Sequence, residues 1–208
     1  MKNISITYAL VLLMIYSSIS SAQNDNSSEK DKWEFGAEAN FYFTDPFFVL
    51  PVIQAGKSWL HFEARYSYEE LETFSGWAGY KFSGGKDFEY EIIPMAGFIA
   101  GRIKGFAPGL RFTLGYSGFE LSGESEYVFD SEDKESNFFY SFSDLSYSPA
   151  DWCYFGLSLQ RTRIINTDAE FQPGVMAGGS YKNLGMTIYY FMPEEDDKYF
   201  ILTTGIEF

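Results

Sequence analysis

The chain has 208 residues, 15 basic against 29 acidic side chains and a net charge of −14, a balance that argues against nucleic acid or anionic headgroups as partners. Aromatic residues make up 20% of it, yet its mean hydropathy is −0.17, the mixture expected of strands that are half lipid-facing and half lumen-facing. One cysteine (Cys153) and one histidine (His61) exclude an internal disulfide and a Cys/His metal centre, and no motif for a cofactor is present.

Residues 1–22 read as a signal peptide. Lys2 supplies the positive start, Tyr8 to Tyr16 a compact apolar stretch, and Ser20 and Ala22 the small residues before cleavage at Gln23. That stretch is about half the ~20 residues of a spanning helix, and no longer apolar run follows, which excludes a helical membrane protein. Residues 23–32 are polar and are expected to form a disordered periplasmic lead-in.

From residue 33 to residue 208 the chain alternates in short segments, each closed by a turn signal. The predicted strands are Trp33–Phe43, Phe47–Ala55, Trp59–Tyr68, Thr73–Ser83, Phe88–Ala100 and Phe106–Tyr116. Phe119–Phe129, Phe138–Tyr147, Trp152–Ile164, Phe171–Tyr181, Leu184–Met192 and Tyr199–Phe208 complete them. Tight connections such as Ser117-Gly118 and Lys182-Asn183 alternate with mostly longer, acidic ones such as Asp130 to Glu135 and Pro193 to Asp197. Short turns on one side and long loops on the other are the layout of an outer-membrane barrel.

Parity sharpens the reading. Leu60, Phe62, Ala64, Tyr66 and Tyr68 oppose His61, Glu63, Arg65 and Ser67. Phe119, Leu121, Tyr127 and Phe129 likewise oppose Glu120, Ser122, Glu124 and Glu126. The apolar faces carry no charge in their middle, as they must if a midplane charge costs ~2–4 kcal/mol. The predicted fold is all-β, an antiparallel transmembrane β-barrel of about twelve strands. Pro51 and Pro94 fall mid-segment, where each removes a ladder donor, and loss of the Pro51 strand would leave ten. Ser143-Asp144 interrupts its strand's alternation and reads as a bulge.

Inward parity collects the expected pore lining. Glu34, Glu38, His61, Glu63, Arg65 and Glu89 come from the first half of the chain. Glu91, Arg111, Glu120, Glu124, Glu126 and Gln160 follow. The acid excess suits a narrow cation-favouring channel for small solutes; the same charges could instead fill and stiffen a closed structural or surface-interaction barrel whose acidic loops face outward, since twelve strands lie between side-chain-filled and channel-forming sizes. At the outer rim, Arg102, Lys104, Arg161 and Arg163 stand out against acidic loops. They are expected either to grip lipopolysaccharide phosphates or to pair with loop carboxylates. Trp33, Trp59, Trp152, Tyr154, Phe138, Tyr140, Tyr147 and Phe208 read as interfacial girdles, and Trp77 as packing inside the barrel. His61 and Glu63 share a face, so a base with an orienting carboxylate, as in a lipid-modifying enzyme, is the weakest alternative; no serine motif accompanies them and no catalytic residue is assigned.

The alternating strands, Gly-rich tight turns and final Phe208 resemble small bacterial outer-membrane β-barrel proteins. The resemblance implies that Phe208 is the sorting signal read by the barrel assembly machinery, and that the barrel sits among outer-membrane lipid and lipopolysaccharide. Glu63-Ala-Arg-Tyr-Ser-Tyr-Glu69, Pro94-Met-Ala-Gly97, Ser125-Glu-Tyr-Val-Phe-Asp130 and Gln160-Arg-Thr-Arg163 resemble an uncharacterised porin-like group within it. The chain is also similar in strand count to twelve-stranded oligosaccharide porins. Their lumen is strongly basic for acidic sugars, and the glutamates here depart from it.

Overall fold

The computed structural model describes residues 32–164 and 169–208. The expected signal peptide, most of the lead-in and residues 165–168 lie outside the described residues. The strands are β1 (Glu34–Phe43), β2 (Phe48–Lys57), β3 (Leu60–Tyr66), β4 (Phe74–Tyr80, continued by Phe82–Gly84), β5 (Phe88–Ala100) and β6 (Gly105–Tyr116). They continue as β7 (Phe119–Asp130), β8 (Phe138–Ala150), β9 (Cys153–Ile164), β10 (Glu170–Tyr181), β11 (Leu184–Phe191) and β12 (Tyr199–Glu207).

Each strand pairs antiparallel with its sequence neighbours, and β1 pairs with β12 through Gly36–Glu207 to Phe43–Phe200. The sheet thus closes into a 12-strand barrel, leaving no open edge. Phe208 secures the seam: its N–H donates to the Phe35 carbonyl at 2.8 Å, and Phe35 N–H donates back at 3.3 Å. Both ends of the described barrel and the tight turns lie at one rim. Ser117 and Gly118 adopt φ of 51° and 82°, the left-handed backbone that a two-residue hairpin turn demands.

Both prolines are accommodated within strands, so the count does not fall to ten. Pro51 pairs with Ala39 on β1 but lies beyond the β2–β3 ladder, whose last pair is Val52–Arg65. Pro94 stands where β4 is interrupted: the register is the same on both sides of the break, Gly79–Met95 and Phe82–Ile92, which puts Tyr80 opposite Pro94. A missing donor and a break in the partner strand thus coincide.

The expected bulge at Ser143-Asp144 is corrected. Asp144 pairs in unbroken register with Ser122 and Ser158 and points inward, while Ser143 faces out. The irregularity lies at the tight-turn end, between Cys153 and Phe155 opposite Ala150 and Tyr147.

Outward positions carry the large exposed apolar residues, including Phe62, Phe98, Phe106, Leu157 and Ile188. Aromatic rings meet around both rims, Trp59 with Tyr80 and Phe119 with Tyr147 at one, Phe43 with Phe47 and Phe106 with Phe129 at the other. Three residues expected in the girdles point inward instead. Phe138 packs on a buried cluster, Tyr140 lines the central cavity, and Tyr154 shares a 2.6 Å hydrogen bond with Thr187 Oγ1.

Candidate functional site

The lumen is built from the inward face of every strand, and two apolar clusters line it. Trp77, Met95, Ile99, Ala107 and Val128 pack on the β4–β7 wall. Met176, Tyr189, Phe191 and Ile201 pack on the β10–β12 wall. Trp77 is a packing residue, as its parity suggests. Its ring occupies the space above Gly97 and Gly109, where an added Cβ would come within 2.4 Å and 2.9 Å of it. Its indole N–H is shared between Ser75 Oγ at 3.1 Å and Glu69 Oε1 at 3.2 Å.

Between the walls runs a polar slot, a cavity of about 250 Å³ lined among others by Glu38, Asn40, Tyr42, Gln54, Glu124 and Tyr140. Asn40 ties the slot to its strands: its amide donates to Glu38 at 2.7 Å and its carbonyl accepts from Thr203 at 2.5 Å.

Arg65 crosses this slot. The guanidinium is only 2% exposed and begins on β3, beside Glu63. Its Nε donates to Glu63 Oε2 at 2.7 Å, Nη2 lies 2.6 Å from the same oxygen, and Nη1 donates to Glu126 Oε2 on β7 at 3.2 Å. Glu124 Oε2 accepts from Nη2 at 3.5 Å. The rings of Tyr68 and Trp77 cover the guanidinium plane at 4.3 Å and 4.8 Å. A planar donor fork held by carboxylates on two strands and by two rings is a rigid crossbar.

Glu63 is the hub on the other side. Arg111 Nη1 on β6 donates to its Oε1, and His61 Nε2 lies 2.6 Å from that same oxygen. The pairing expected for a base and its orienting carboxylate therefore exists. That carboxylate, however, is also bound by two arginines, and among the described residues no hydroxyl is hydrogen-bonded to His61.

The remaining inward residues are placed less tightly. Glu34 and Glu91 flank the Lys81 ammonium at 3.8 Å and 3.6 Å near the tight-turn rim, beside a cavity of about 520 Å³ that also reaches His61 and Arg111. Glu89 is exposed at the same rim, opposite Gly115. Glu120 opens onto a cavity of about 320 Å³ with Asp144 and Ser146. Gln160 faces inward from β9, and its carbonyl oxygen is buried without a hydrogen-bond partner among the described residues.

Several lumen residues lie outside the expected lining, among them Tyr42, Gln54, Lys81 and Asp144. Lys81 continues the inward row of Ser75, Trp77 and Gly79, a parity signal present in the sequence. Asp144 accepts from Tyr189 Oη at 3.1 Å, at the position where the broken alternation suggests a bulge.

The four rim cations divide into two pairs. Arg102 approaches Glu70 and Glu72 at 3.6 Å and 3.9 Å, and Lys104 donates to Glu132 at 2.7 Å, a hydrogen bond that raises its pKa. Arg161 and Arg163 face outward near the long-loop end of β9, with no carboxylate at ion-pair distance among the described residues.

Solved structures share this architecture. The KdgM porin matches with a TM-score of 0.53 and 10% identity, covering 84% of this chain and 98% of its own. The structure described as KdgM porin in complex with disordered oligogalacturonate gives 0.55 and 11%, covering 83% and 98%. No family model and no curated protein matches the sequence. The shared feature is the fold, and the chain has that of a small porin-like outer-membrane β-barrel.

Proposed function

We propose that this barrel is a narrow porin-like channel of a bacterial outer membrane, reached by export behind a cleaved leader at residues 1–22. The single observation that carries the reading is the polar slot between two apolar walls, about 250 Å³ in volume and narrowed at Arg65. Orientation follows from the tight turns facing the periplasm and the long loops facing outward. The inward glutamates favour cations or small neutral solutes. The oligogalacturonate in the KdgM complex is a polyanion, and Glu38 and Glu124 would repel such a solute here.

Charge reversal tests the mechanism. In a reconstituted barrel with Glu120, Glu124 and Glu126 each changed to Lys, the reversal potential in a salt gradient should move toward anions. An unchanged potential in a conducting barrel would exclude the lumen glutamates as the source of selectivity. The second reading, a closed structural barrel, is favoured by the crossbar itself, which Glu63 and Glu126 hold from opposite sides. Flux of a small neutral sugar into vesicles carrying the wild-type barrel would remove it.

A further inference from the structure

We propose that Arg161 and Arg163 form a phosphate-binding site for an outer-leaflet glycolipid on the membrane-facing surface of the barrel. The proposal rests on the membrane orientation given above and is independent of whether the lumen conducts.

Arg161 lies on the lipid-facing parity of β9, following Leu157 and Leu159, which are 61% and 41% exposed. A cation on that face is costly at the midplane and nearly free of cost at the interface, so its position close to the end of β9 puts it at headgroup depth. Its guanidinium is held between two outward rings, 5.5 Å from Phe139 on β8 and 5.1 Å from Phe171 on β10. The rings fix the fork without satisfying its donors. Among the described residues, Nε is buried without a hydrogen-bond partner.

The neighbouring positions supply polar groups where a lipid-facing wall would otherwise be apolar. Arg161 pairs with Ser141, and Ser141 with Ser125 on β7, giving a row of outward hydroxyls running up to the guanidinium. Arg163 stands two residues beyond Arg161 on the same face, paired with Phe139. Two arginine forks and two hydroxyls at headgroup depth match the oxygens of a phosphomonoester better than an apolar partner surface. Arg102 and Lys104 differ in that loop carboxylates already neutralise them. The structure thus assigns the lipid contact to two of the four rim cations.

The test is binding of phosphorylated lipid A to the purified full-length barrel in detergent, read by native mass spectrometry. Wild type and an Arg102→Ala/Lys104→Ala variant should retain it equally. Arg161→Ala/Arg163→Ala should bind about tenfold or more weakly, the scale of one lost charge-assisted hydrogen bond. Arg161→Lys/Arg163→Lys, keeping charge without the fork, should fall between, and circular dichroism confirms that each variant is folded. Lipid A stripped of its phosphates should bind wild type no better than it binds the Ala pair. Equal loss from both Ala pairs, equal retention of the dephosphorylated lipid, or displacement of lipid by inorganic phosphate alone at equal concentration would each overturn the proposal.

Discussion

Glu63 in mid-lumen and Glu91 near the tight-turn rim are both inward carboxylates beside a cation, and their surroundings make them different devices. Glu63 is 5% exposed and binds two arginines and His61, with distances of 2.6–2.7 Å to Arg65 and His61. Glu91 meets Lys81 only at 3.6 Å, with water at hand. In the middle, charges fix side-chain positions and therefore set the width of the slot. At the mouth they are more exposed and screened, and hold one another only loosely. Strand parity places both groups inside; their separate roles follow from depth in the barrel.

The largest effect on this contrast should come from Arg65→Ala. Removing one partner of a buried ion network costs about 3–5 kcal/mol, so unfolding in denaturant should shift strongly. If the variant folds, conductance should rise and cation preference should sharpen, because Glu63, Glu124 and Glu126 lose their shared counter-charge. Glu63→Gln should cost less, about 1–3 kcal/mol in the same unfolding experiment, with selectivity moving toward anions as Arg65 and Arg111 lose their shared counter-charge. Gly97→Ala tests the apolar wall: a Cβ 2.4 Å from the Trp77 ring forces repacking, at about 1–3 kcal/mol. The smallest effect should belong to the mouth. Glu89→Gln/Glu91→Gln should shift the reversal potential slightly at low salt and not at 1 M, where screening acts within ~3 Å. A mouth variant as damaging as Arg65→Ala would dissolve the distinction.

Much of this was legible from parity. The twelve strands, the inward placement of His61, Glu63, Arg65, Arg111 and Glu126, and the alternation of tight and long connections all follow from a two-residue period. Residue type misled where parity was set aside. Tyr140 and Tyr154 are aromatic near strand ends, yet they face inward, because a lumen this narrow also takes rings. Asp144 is masked because Ser143 before it puts a polar residue on the outward face and blurs the alternation. The crossbar lies beyond such reading: Arg65 meets Glu126 across 61 residues of chain, through the curvature of the closed sheet. The division of the rim cations likewise depends on which loops fold back onto Arg102 and Lys104, and local sequence does not encode that.

The most direct test is single-channel conductance of the refolded wild-type barrel in a planar bilayer under a salt gradient. A small, steady conductance with a cation-selective reversal potential is the predicted result. A folded barrel that stays silent, or that conducts with anion preference, would contradict the account of an Arg65-narrowed slot dominated by glutamates.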